Sequence, residues 1–142
     1  MKQQNYNNHS KMVLGFHGIL FLAIVALLIG AIRNLIKATD EDIYGASLLV
    51  LIPLIFLFFM YFTRAFALKA QDRAIKVEEN FRHYLLTGKT LNSKLTMRQI
   101  IGLRFASDKE YIELAERAVK ENLSEKDIKK SIKNWKADNY RV

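Results

Sequence analysis

Two stretches decide how the chain is read: Met12–Ile32, MVLGFHGILFLAIVALLIGAI, and Ile43–Thr63, IYGASLLVLIPLIFLFFMYFT. Each holds 21 residues without an Asp, Glu, Lys or Arg, long enough for a helix to cross a hydrocarbon core of about 30 Å. Around them the 142-residue chain looks ordinary, with 51% hydrophobic and 25% charged residues and a mean hydropathy of +0.01. That average hides a partition, because nearly all the charge lies outside the two runs. A purely soluble globule is therefore not expected. The first run exceeds the roughly 7 to 15 apolar residues of a signal peptide, has no small-x-small cleavage pattern behind it, and is soon followed by a second run. It is expected to stay as an anchor.

Inside lipid every backbone N–H and C=O must be paired within its own segment, so both runs are expected as helices, and the short link makes them an antiparallel hairpin. Basic residues near the span ends set the orientation. Lys2 and Lys11 precede the first run and Arg64, Lys69, Arg73, Lys76 and Arg82 follow the second, against Arg33 and Lys37 in the link. The positive-inside bias places both ends of the chain in the cytoplasm. The expected organisation is a cytoplasmic tail (1–11), a span (12–32), an external loop (33–42), a second span (43–63) and a cytoplasmic helical domain (64–142). Because small residues let membrane helices approach, Ala26 and Gly30 facing Gly45 and Ala46 predict the tightest packing at the outer end. Gly15 and Gly18 predict a recess at the inner end for a ring from Phe56, Phe58, Phe59 or Phe62. Pro53 removes a backbone hydrogen bond mid-span and predicts a kink. His17 lies close enough to the inner end for its imidazole to reach the headgroups.

Beyond Arg64 nothing stops the helix before Thr87-Gly88, where glycine accepts the left-handed geometry of a helix end. The second span is thus expected to continue to Leu86, with Phe66, Ala70, Ala74, Val77, Phe81 and Tyr84 forming its apolar face. Thr96 with Gln99, Ser107 with Glu110, and Ser124 with Asp127 carry the hydroxyl-then-polar spacing of helix starts. They predict helices near 97–105, 108–121 and 125–136. The apolar faces are Met97, Ile100, Ile101 and Phe105; Tyr111, Leu114, Ala115 and Ala118; and Ile128, Ile132 and Trp135. With the long helix's stripe these make a small core. The fold class is all-α: a two-helix transmembrane hairpin with a small cytoplasmic helical domain.

Charge in the cytoplasmic portion alternates. Net charge is +6 over 64–107, −3 over 108–127 and +4 over 128–142. The basic groups below the membrane, Arg64, Lys69, Arg73 and Lys76, and those assigned to the last helix, Lys129, Lys130 and Lys133, are candidates for contact with anionic headgroups or a partner. The absence of Cys excludes disulfides, thiolate metal sites and a cysteine nucleophile. Thr87-Gly88-Lys89-Thr90 imitates the end of a phosphate loop, but His83 stands where its first glycine belongs and a helix precedes it. His9, His17 and His83 have no metal-ligand spacing. No catalytic, metal or cofactor residues are assigned, and neither an enzyme nor a small-molecule substrate is expected.

Met1–His9 (MKQQNYNNH), 66–74 (FALKAQDRA), 82–89 (RHYLLTGK), 95–108 (LTMRQIIGLRFASD) and 132–138 (IKNWKAD) resemble a family of small two-span bacterial membrane proteins of unknown function. Its members are sometimes loosely labelled transporter permeases. The resemblance implies a bacterial inner-membrane setting of the Bacteroidetes type and brings no activity or functional residues. The leading expectation is a membrane-anchored helical interaction module that engages lipid headgroups or a protein partner at the cytoplasmic face; a homo-oligomer is left open, through packing of the hairpin. The alternatives are an accessory subunit of a transporter or channel, and, less favoured, a membrane-tethered nucleic-acid binder, which salt-sensitive DNA binding would reveal.

Overall fold

The computed structural model describes residues 4–8 and 12–138; Lys2, His9 and Lys11 lie outside them. Among the described residues every regular element is a helix, and there is no β-strand. A π-helical turn, Leu14–Leu20, leads into α1 (Phe21–Ile36), followed by α2 (Ile43–Thr87), α3 (Met97–Leu103), α4 (Asp108–Lys120) and α5 (Glu125–Ser131). The contacts divide into two compact units. One is Lys11–Ala67; the other combines Leu68–Val142 with Met1–Ser10.

In the Lys11–Ala67 unit the helix before the link runs to Ile36, so residues 33–36, expected in a loop, are helical. Leu35 shares the phase of Ile24, Leu28 and Ala31, and the link shortens to 37–42. Thr39 Oγ1 bonds Asp42 at 3.0 Å there, and Ala46 N–H donates to Asp42 O at 2.9 Å to open α2. Ile24, Ala31, Ala46 and Pro53 are buried, and Leu28, Leu35, Val50, Leu57 and Met60 are half-buried. Their three- and four-residue steps trace one narrow stripe along each helix. Phe16, Val25, Ala38, Ala65 and Ala67 are also half-buried, and most other apolar side chains of the unit are exposed.

The small residues expected to line the packed face mostly do not. Ala46 is buried, but Ala26, Gly30 and Gly45 are exposed, and a Cβ on Gly15, Gly30 or Gly45 would meet nothing within 4 Å. At 3.6 residues per turn, Ala26 and Gly30 fall on the side of α1 away from Ile24 and Ala31. No ring fills a recess at Gly15 and Gly18 either. Phe56, Phe58, Phe59 and Phe62 are all about half exposed or more, and a Cβ on Gly18 would meet only Leu14 of its own turn, at 3.2 Å. The π-helical turn is unannounced in the sequence. Val13 O accepts the His17 N–H at 2.8 Å, while the imidazole Nδ1 lies 3.2 Å from Val13 N and O. Pro53 sits inside α2 with its side chain fully buried.

The Leu68–Val142 unit has a core centred on Leu103, Phe105, Tyr111 and Ile128, all fully buried, with Ile75, Leu95, Ile100, Leu114, Ala118 and Ile132 around them. Thr96 and Gln99 close a reciprocal capping box at the start of α3. The buried Gln99 amide also donates to Ala118 O in the last turn of α4 and to Leu123 O in the turn after it, each at 3.0 Å. Ser124 Oγ accepts from Asp127 N–H at 3.2 Å. Ser107 makes no side-chain cap bond; its hydroxyl instead bonds Glu110 at 3.3 Å.

Two expectations are corrected here. The stripe Phe66, Ala70, Ala74, Val77, Phe81 and Tyr84 is exposed throughout, and α2 gives the core Ile75 and the carboxylate-bearing Glu79 instead. The last helix stops at Ser131, because Ile132 is extended and Glu110 accepts the Lys133 and Asn134 backbone N–H groups at 3.1 and 2.9 Å. The chain then pairs at Ala106 and Trp135, and the indole lies 5.2 Å from the Phe105 ring.

Two glycines carry separable constraints. Gly88 closes α2 at φ +71° with open space around it, whereas a Cβ on Gly102 would lie 3.1 Å from Ile128 Cγ2 and 3.3 Å from Glu125 O. In denaturant titrations of the detergent-solubilised chain, Gly88→Ala is expected to cost roughly 1 to 2 kcal/mol through conformation alone. Gly102→Ala is expected to cost about 1 to 3 kcal/mol through overpacking. An unchanged midpoint for Gly102→Ala would contradict the close approach of α3 to α5.

Candidate functional site

The densest polar constellation is built on α2 one turn after Ile75. Arg82, with its side chain 11% exposed, reaches Glu79 Oε2 at 3.2 Å and Asp108 Oδ1 at 2.6 Å. Its Nη2 donates to Ala106 O at 2.7 Å, and its guanidinium carbon lies 4.3 Å from the centre of the Tyr111 ring. Tyr111 donates its hydroxyl to Glu79 O at 3.2 Å. Asp108 opens α4, where the helix dipole also favours a carboxylate. Burial pushes the Glu79 carboxyl up, against the lowering effect of Arg82. Burial, then the Glu79 charge, pushes the Tyr111 phenol up, against Arg82. The arrangement joins α2 to α4 and to the segment before it through a desolvated cation.

Beside it lies a cavity of about 370 Å³ lined by Ile75, Glu78, Glu79, Arg104, Lys136 and Asp138 among others. Arg104 pairs with Asp138 at 3.1 Å and stacks 4.7 Å over Phe105; its buried Nε has no hydrogen-bond partner among the described residues. Opposite charges line this space together. Among the described residues no three His, Cys, Asp or Glu side chains form a metal-binding group. His83 is tied locally, its Nδ1 2.8 Å from Lys89 O and its ring edge-on to Tyr111 at 6.2 Å.

The basic residues singled out in the sequence differ in exposure. Lys69, Arg73 and Lys76 are exposed on α2, and Arg64 is half-buried. Lys129 is buried, paired with Glu125 at 2.6 Å and 5.3 Å from the Phe105 ring. Lys130 is exposed with its ammonium 6.0 Å from the Tyr6 ring. Lys133 is exposed beyond the end of α5. Sequence reasoning missed Glu79, Arg82, Asp108 and Tyr111 as a cluster. Their one legible signal was the three-residue spacing of Glu79 and Arg82, which equally fits a solvated helix face.

The chain belongs to a family of unknown function (DUF6526), matched over residues 1–142. Searches of characterised proteins and of solved structures returned no match.

The Tyr111 phenol yields a pH test. Its folded pKa lies above the ordinary value of 10, so its contribution to stability is complete below pH 10 and is lost as pH rises toward the folded pKa. Tyr111→Phe is expected to lower stability by about 1 kcal/mol at pH 8 through the lost hydrogen bond. The gap from the parent chain should narrow at pH 11 in denaturant titrations. A gap constant between the two pH values would remove the buried phenol from this account.

Proposed function

We propose that the protein is a membrane-anchored helical interaction module. The helices Leu14–Ile36 and Ile43–Thr87 each contain an apolar window long enough to cross a bilayer with only 11% of its residues buried. That observation carries the reading. Ile19, Phe58, Phe59 and Tyr61 are each about two-thirds exposed, an arrangement costly in water and favourable against acyl chains. On this reading the two runs form a hairpin in a bacterial inner membrane. The link 37–42 lies outside, and the Leu68–Val142 unit lies in the cytoplasm, following the excess of Arg and Lys after the second run.

The unit's described polar residues form a structural lock at Arg82 rather than a reactive set, which supports a binding role over catalysis. Lys69 and Lys76, exposed and outside the ion pairs of the described residues, follow closely on the second apolar run. They are placed to attract anionic headgroups, at up to about 1 kcal/mol each near the surface. Lys129 is withdrawn from that role by its burial.

With no native cysteine, topology is directly testable. Thr39→Cys should react with a membrane-impermeant maleimide in intact cells, and Lys130→Cys only after permeabilisation; the reverse pattern would overturn the orientation. In nanodiscs containing phosphatidylcholine and phosphatidylglycerol, the protein should retain phosphatidylglycerol preferentially after extraction. Lys69→Gln with Lys76→Gln should cut that preference about twofold or more. No preference at physiological salt would remove the headgroup contact.

A further inference from the structure

We propose that the exposed apolar stripe of α2 within the Leu68–Val142 unit is the seam of a parallel homodimer, occupied by the same stripe of a second copy. The inference rests on the membrane-anchored reading above and names its partner. Ala70, Ala74, Val77, Phe81 and Tyr84 follow one another at steps of four and three residues, and all are exposed. Val77 is 69%, Phe81 61% and Tyr84 54% exposed, although Ile75, Glu79 and Arg82 on the opposite side of the same helix are withdrawn from water. A helix that buries a carboxylate and a guanidinium while presenting phenylalanine and valine to solvent has its apolar payload on the wrong side for a monomer.

The stripe has the layout of a two-stranded coiled coil. Ala74 and Phe81 take the a positions, Ala70, Val77 and Tyr84 the d positions, and the residues packed on the unit's own core take the outward b and f positions. The flanks supply the complementarity. Arg73 falls at g and Glu78 at the e position of the next heptad, both exposed. In a parallel pair, g of one helix meets that e of the other, so the symmetric dimer gains two Arg73–Glu78 pairs. An antiparallel pair brings g to g and e to e, setting Arg73 against Arg73.

Acyl chains are a poor occupant. The stripe lies roughly 10 to 30 Å along the helix past Thr63, by helical rise, on a helix whose Lys69, Arg73, Lys76 and Glu78 are exposed. Two copies inserted with the same topology present α2 in the same direction, so the membrane imposes the parallel sense that the charges prefer. A seam of little more than two heptads is marginal between free helices. Confinement of both copies to one membrane raises their effective concentration and removes much of the orientational cost.

The test uses single cysteines in the full-length, otherwise cysteine-free chain, oxidised in native membranes. Ala74→Cys and Val77→Cys should give a covalent dimer at least about fivefold more abundant than Lys76→Cys, an exposed position off the seam. In the Val77→Cys background, Arg73→Glu should reduce crosslinking and adding Glu78→Arg should restore it. Equal crosslinking at all three positions in protein that remains in the membrane fraction would overturn the dimer and leave the anchored reading intact. Protein released from the membranes by carbonate would overturn the anchored reading, and the parallel dimer with it.

Discussion

A guanidinium withdrawn from water needs acceptors from more than one element, and at Arg82 they come from three: Glu79 one turn earlier, the Ala106 carbonyl, and Asp108 at the start of α4. Removing the buried Glu79 carboxylate would leave a largely buried cation partly unpaired, which costs far more than the pair contributes over an apolar alternative. The result is a fixed rotation of α2 in this unit. With Arg82 turned inward, Ile75 and Glu79 follow it by helical geometry, and Val77, Phe81 and Tyr84 must face away. The tyrosine that covers the guanidinium also donates to the Glu79 backbone, so ring, cation and helix are held as one object.

Much of the architecture was legible because it rests on short-range rules. The unbroken helix through Arg64 to Thr87 followed from the absence of any Gly or Pro between them, and Gly88 ends it at positive φ. The inward faces of α3 and α4 followed from apolar spacing, with Tyr111, Leu114, Ala115 and Ala118 all buried. The end of α5 was not legible. Glu110, over twenty residues earlier, takes the backbone N–H groups of Lys133 and Asn134, and a competitor so distant in sequence leaves no mark in a local pattern.

The candidate site was legible only in part, for an electrostatic reason. Lys129 and Lys130 are neighbours of identical chemistry, yet one is buried against Glu125 and Phe105 and the other exposed near Tyr6. Which lysine faces outward depends on the phase of a seven-residue helix, and apolar spacing fixes that phase loosely when Ile128 is the one apolar residue within it. Similarly, Glu79 and Arg82 carry the composition of a solvated face. Their burial comes from Asp108 and the Ala106 carbonyl, distant in sequence.

The error on α2 has a more general cause. A stripe of apolar residues at helical spacing states that a face avoids water; it does not state whether the cover is the chain's own core, acyl chains or another helix. On α2 these cases follow one another along a single helix. Ala46 and Pro53 are buried within the Lys11–Ala67 unit, Phe58 and Phe59 are exposed among uncharged neighbours, and Val77 and Phe81 are exposed among charged ones. Charge density separates the last two: exposed rings without nearby charge suit hydrocarbon, whereas exposed rings bordered by Arg73, Lys76 and Glu78 suit a protein surface with its own charges to offer. Exposure measured against the local charge, rather than periodicity alone, therefore assigns each face of such a helix to its solvent.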